Sequence, residues 1–149
     1  ELETLDPNNK AVTAVGAPVG VSEWKKATHT TPMASLNKVN TADEFKDWAK
    51  DCGTKELFLT EKLDGISINT IWKDGVLVQA ITRGSGDVGE DITSNVKNMK
   101  GIPKKLKKRF SGGLRGEIVL LRSDHKARFP DYANPRNAAS GIAKRYDGE

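Results

Sequence analysis

One cysteine, two histidines and nine aromatic residues are all that 149 positions hold of those types. A single thiol, Cys52, excludes an internal disulfide and any cysteine-cluster zinc site, and it suits a reducing cytoplasm. His29 and His125 stand far apart in the chain and read as surface or hydrogen-bonding residues, not as a metal pair. No run of 18 or more apolar residues offers a membrane span, so no membrane partner is expected. A secretory signal pattern is missing, and so is an initiator methionine, so Glu1 reads as the start of a piece trimmed from something longer. The glycine-rich stretch Gly84–Asp91 lacks the Gly-x4-Gly-Lys-Ser/Thr spacing, which excludes a P-loop ATPase.

What remains is 36% hydrophobic and 30% charged, the balance of a soluble globular chain, and its length suits a single domain over residues 1–149. The net charge of +4 is unevenly spread. Residues 1–60 carry seven lysines against nine acids, while residues 61–149 carry 17 Lys and Arg against 11 acids. Positive charge therefore gathers in the C-terminal part, as a nucleic-acid partner would require. Its densest stretch, residues 97–109, has seven cations, Lys104 and Lys105 among them, and no acid. Such a run is either a solvated loop or a set of phosphate contacts without base information.

Residues 1–30, broken by Pro7, Gly16, Pro18 and Gly20, read as a lead-in to a core spanning 31–149. Thr41-Ala42-Asp43-Glu44 is a capping box; Phe45, Trp48 and Ala49 then form a packing stripe, and Cys52-Gly53 ends the helix. Glu56–Thr60 is apolar and β-prone, and Ile66–Trp72 alternates as a half-buried strand does. Between them lies Thr60-Glu61-Lys62-Leu63-Asp64-Gly65, which places Lys62 at the end of a buried strand beside a glycine bend. Desolvation or nearby positive charge at such a position frees an amine lone pair for nucleophilic attack. The plainer alternative is a strand-end lysine paired with Asp64. On a strand, Thr60, Lys62 and Asp64 share one face.

Lys73-Asp74-Gly75 marks a hairpin whose returning strand, Val76–Thr82, carries Arg83 back toward Lys62. A guanidinium there can grip a ribose or phosphate. Thr93 reads as the cap of a short helix. Leu114–Leu121 is a strand whose lone acid, Glu117, needs a partner: a ribose hydroxyl, Lys62 or a divalent ion. Asn134 caps, and Pro135 opens, a small-residue helix that presents Arg136.

Taken in order, five motifs resemble the adenylation domain of a bacterial-type NAD-dependent DNA ligase. They are Lys62-Leu63-Asp64-Gly65, Thr82–Gly86, Val88–Asn95, Arg115-Gly116-Glu117-Ile118 and Ala133–Gly141. The resemblance runs from Glu1 to about Lys144. It implies an α+β nucleotidyltransferase core of antiparallel sheets and short helices, truncated here. It also implies an adenosine pocket using Ser35, Leu36, Thr60, Arg83 and Glu117, with Lys62 as nucleophile and Asp64 beside it. Arg136 and Lys144 would serve nicked duplex DNA, NAD would donate AMP, and Mg²⁺ or Mn²⁺ would assist, with Glu117 as its ligand. Three positions depart from the pattern. Thr60 stands where relatives have glutamate, Ser85 where they have aspartate, and Lys144 where they have arginine.

The nicotinamide-mononucleotide-binding segment and two later lysine motifs of such ligases are not found in this sequence. The expectation is a fragment, or one chain of a split phage-type ligase completed by a second chain. Either would be partial or inactive alone. Two other readings stay open: an ATP-dependent ligase or capping-type nucleotidyltransferase, which Asn134–Ala139 argues against, and a non-catalytic DNA-binding ligase subunit.

Overall fold

A computed structural model describes residues 23–53 and 56–146. Most of the expected lead-in, residues 1–22, lies outside the described residues; its last part contributes a short strand, β1 (Lys26–Thr28).

The frame is a three-stranded antiparallel sheet in the order β3-β2-β5, built from β2 (Ile66–Lys73), β3 (Val76–Thr82) and β5 (Gly112–Ile118). The β2–β3 hairpin closes on Asp74 and Gly75, at φ 51° and 81°. Positive φ at both central residues gives the primed turn that matches strand twist, as Lys73-Asp74-Gly75 predicts. The register slips between Ile71 and Trp72, so Ile71 faces Gln79 while Trp72 faces Leu77. On the other edge Ile66 pairs with Ile118 and Trp72 with Gly112. The expected strand over 114–121 therefore begins two residues earlier and ends at Ile118, because β2 offers no strand residue before Ile66.

One face of this sheet builds the core. Ile68, Trp72, Leu77 and Ala80 pack with Ile92, Val96 and Ala143. Ile92 and Val96 flank and belong to the short helix α2 (Thr93–Val96), while Ala143 ends α4 (Pro135–Ala143). The opposite face is covered in part, so that Asn69 is buried as well. His29 lies beneath it, accepting at Nδ1 from the Asn69 amide (3.5 Å) and donating from Nε2 to the Thr82 carbonyl (3.0 Å). A second sheet pairs β1 with β4 (Val88–Glu90). There Gly89 lies so close to β3 that a Cβ would stand 1.8 Å from the Thr82 carbonyl oxygen.

The three helices that sequence patterning predicts form, each with a difference or a confirmation at its cap. In α1 (Ala42–Asp51) the Thr41 capping box is complete, and Gly53 follows the Cys52 cap at φ 64°. Its apolar stripe does not pack as expected: no residue of α1 is buried, and Phe45 and Trp48 touch each other at 5.7 Å while 45% and 42% exposed. Thr93 is no cap. Its hydroxyl instead donates to Asp91 and accepts from the Ala80 N–H, tying α2 to β3. Asn134 caps α4 as expected, accepting from the Asn137 N–H at 2.8 Å. The charged helix α3 (Arg122–Arg128) buries nothing and has no side-chain cap, which left it without a sequence signal.

Candidate functional site

The expected strand over Glu56–Thr60 is absent, and with it the buried setting of Lys62. Residues 56–64 belong to no strand and are exposed; Phe58 and Leu59 are 94% and 95% accessible. The physical reason is pairing. β2 is flanked on both edges by β3 and β5, and no described neighbour takes up the backbone of residues 56–60. The shared face of Thr60, Lys62 and Asp64 lapses with the strand. Order resumes at Gly65, where an added Cβ would stand 2.1 Å from the Ile118 carbonyl oxygen. Only glycine allows β2 and the end of β5 to approach so closely.

Around that pivot, distant stretches converge. Arg83 follows β3 and receives its place from backbone pairing, its N–H donating to the Ser67 carbonyl at 3.1 Å. Its guanidinium donates from Nε to the Met33 carbonyl (3.0 Å) and from Nη2 to the Ser35 hydroxyl (2.8 Å). Arg83 and Ser35 are thus brought together across the 48 residues that separate them. Leu36 is 88% exposed. Glu117 lies opposite Ser67 in the β2–β5 register, and the Ser67 hydroxyl donates to its carboxylate at 2.9 Å. Ser67 is therefore the partner that the lone strand acid required, and Lys62 is not. Asp64 receives the Arg136 guanidinium at 3.1 Å, so the two ends of the motif set meet.

Other expected residues do not join. Lys144 turns to Glu90 (3.4 Å), which Lys26 also holds from β1 (3.3 Å). Glu90 is buried, so this paired arrangement supplies the countercharge that burial demands. Lys104 and Lys105 lie at the other end of the sheet, where Lys105 bridges to Val76 beside the hairpin turn. Eight residues of β2 at about 3.3 Å each place that turn roughly 23 Å from Ile66. Ser85 closes the turn before β4 by accepting from the Val88 N–H (3.3 Å).

Sequence reasoning missed Ser67, Asn69 and Arg115. Strand alternation puts the three on Glu117's face, and that signal was available once β2 and β5 were paired. Arg115 Nη2 donates to the Thr31 and Pro32 carbonyls (3.2 and 2.8 Å), fixing the segment that leads to Ser35. A depression of about 320 Å³ opens along this face between Asn69, Ile71, Thr30 and Arg115. It continues the row from Ser67 and Glu117, although neither lines it.

Just after β4, the Asp91 carboxyl meets opposing influences. Burial raises its pKa, but donation by Gln79, by the Thr93 hydroxyl and N–H, and the charge of Lys25 outweigh that and hold it below the ordinary value. Among the described residues, no group of three or more His, Cys, Asp or Glu is arranged to hold a metal ion, and no helix is long and apolar enough to cross a membrane.

Known proteins are similar to this chain along its length. The DNA ligase of Sorangium cellulosum is 44% identical over the whole chain, which covers 26% of that protein. The DNA ligases of Treponema denticola and Treponema pallidum are 41% and 36% identical, over 100% and 99% of the chain and 24% and 19% of their own lengths. The chain thus spans about a quarter of the relatives it matches. Residues 21–149 match the model of the NAD-dependent DNA ligase adenylation domain, and the chain belongs to that family.

Proposed function

We propose that this chain is the AMP-accepting part of an NAD-dependent DNA ligase with a nucleotidyltransferase core, acting on nicked duplex DNA in the cytoplasm. Residues 1–149 form part of one adenylation domain, with 31–149 as its nucleotide-binding core. The observation that carries this reading is convergence: the Lys62–Gly65 motif, Ser35, Arg83 and Glu117 come from four separate stretches to the Gly65 end of β2.

The chemistry follows from the groups there. The Lys62 amine attacks the α-phosphorus of NAD; a phosphorus–nitrogen bond forms, the amine proton leaves to solvent, and the pyrophosphate bond to nicotinamide mononucleotide breaks. AMP then passes from Lys62 to the 5′-phosphate at a nick, and the 3′-hydroxyl displaces it. Arg83 and Ser35 offer a guanidinium fork and a hydroxyl for ribose or phosphate, while Glu117, oriented by Ser67, accepts from a ribose hydroxyl. Leu36 and the Thr60 backbone would close around the adenine. Phosphoryl transfer depends mostly on positioning and charge stabilisation. A divalent ion, Mg²⁺ or Mn²⁺, would supply the latter. Of the carboxylates there, Asp64 is taken up by Arg136, so Glu117 would be the ion's protein ligand, which fits one held largely by substrate phosphates and water. Arg136, Lys104 and Lys105, with Lys144 if released from Glu90, supply phosphate contacts on DNA.

The test is intact mass after incubation with NAD and Mg²⁺, with and without a companion chain that supplies the remaining ligase segments. A lysyl-AMP adduct is expected with the companion, and a slow or undetectable one without it. Lys62→Ala should abolish the adduct. Peptide mapping that finds AMP on another lysine would overturn the assignment, and no adduct under any condition would favour the non-catalytic DNA-binding subunit.

A further inference from the structure

From Leu57 to Asp64, the Arg136–Asp64 pair is the sole side-chain hydrogen bond or ion pair among the described residues. The segment bearing Lys62 is thus held at its C-terminal end by two points: Gly65, wedged against the Ile118 carbonyl, and Asp64, gripped by Arg136. The second point stands on a firm base. Arg136 lies in the first turn of α4, behind the Asn134 cap and Pro135, and α4 buries Ala138, Ala139 and Ala143. A chain of contacts therefore reaches from the core, through a guanidinium, to a carboxylate two residues from Lys62.

We propose that Arg136 is a positioning residue for Lys62, acting through Asp64, in the lysine-adenylation step that precedes any contact with DNA. The inference rests on Lys62 being the nucleophile. A glycine pivot alone leaves the preceding residues free to swing, since glycine restrains its own φ and ψ least of all residues. Fixing Asp64 as well removes most of that swing, because in extended backbone Asp64 lies only about 7 Å from Lys62. The pair is exposed on both sides, 60% and 73% at the side chains. Exposed pairs contribute little to overall stability, so its value lies in orientation. Small displacements of a reacting group carry large rate costs. Arginine also suits the task better than lysine, for its planar fork fixes direction as well as distance.

The experiment is single-turnover self-adenylation with NAD and no DNA, on the protein at its full natural length. Arg136→Ala and Asp64→Asn should each slow adduct formation at saturating NAD by about tenfold or more. The NAD concentration for half-maximal rate should stay within about threefold of the unaltered protein, since the loss is one of orientation and not of uniform binding. The double variant should be no slower than the slower single one, and Arg136→Lys should recover part of the rate. Full-rate adenylation by Arg136→Ala, or single effects that multiply in the double variant, would overturn the proposal. Trypsin cleavage after Lys62 gives a readout that needs no turnover. Both single variants should be cut there several-fold faster relative to cleavage after Lys104, and unchanged relative rates would also count against it. Lys62→Ala, run alongside, reports on the nucleophile alone.

Discussion

The two ends of β2 are built from the same materials and behave differently. At the hairpin end, the basic stretch is stitched to the turn by backbone: Leu106 N–H donates to the Gly75 carbonyl (2.7 Å) and Gly75 N–H to the Phe110 carbonyl (2.8 Å). The Ser111 hydroxyl also accepts from the Asp74 N–H at 2.9 Å. Met99, Ile102 and Leu106 anchor the stretch against the core. Its lysines are thus presented on a frame, and none of Lys104, Lys105, Lys107 and Lys108 is engaged in an ion pair among the described residues. At the Gly65 end, the converging groups meet mostly through side chains, and the Lys62 segment itself has no sheet partner among the described residues. Backbone stitching yields rigidity that tolerates substitution of side chains. An arrangement held by side chains depends on each of them, so single substitutions should disturb it more.

Glycine substitutions separate the ends most strongly. Gly65→Ala forces a Cβ to 2.1 Å from a backbone oxygen that no rotamer change can move, and should cost about 3 kcal/mol. Gly75→Ala places a side chain at φ 81° with the Lys108 carbonyl oxygen at 3.1 Å, and should cost about 1–2 kcal/mol. Thermal melts should rank them in that order, and only Gly65→Ala should also remove the AMP adduct. Equal loss of adduct in both would show that the two ends are one cooperative unit.

Removing charge gives the reverse contrast. Neutralising Lys104, Lys105, Lys107 and Lys108 together should leave adduct formation intact while flattening the plot of log DNA affinity against log salt. The slope should fall by roughly 0.9 for each DNA phosphate that is no longer neutralised. An unchanged slope in a titration from low to high salt would return this stretch to the solvated-loop reading.

The smallest effect concerns Asp91, whose carboxyl sits below its ordinary range. A depressed folded-state pKa contributes stability above the unfolded value, and that contribution is lost as pH falls through the folded one. Melting temperature should therefore drop below about pH 4, and Asp91→Asn should flatten that acid limb without altering the DNA salt slope. An identical acid limb in the variant would show that other carboxylates set it.

Local signals in the sequence determined the hairpin at Asp74-Gly75, the Thr41 box and the Asn134-Pro135 helix start, because turns and caps are settled within a few residues of chain. The motif order reached further still and led to the family. Only tertiary structure decided the partners. It paired Glu117 with Ser67, Arg83 with Ser35 and Lys144 with Glu90, and it withheld a strand from Glu56–Thr60 despite their β-prone composition. Composition describes how well a segment would sit in a sheet, whereas a strand exists only where a neighbour accepts its hydrogen bonds. The same holds for charge: a sequence shows where an arginine stands in the chain, and the fold alone chooses the carboxylate that faces it, as it chose Asp64 for Arg136.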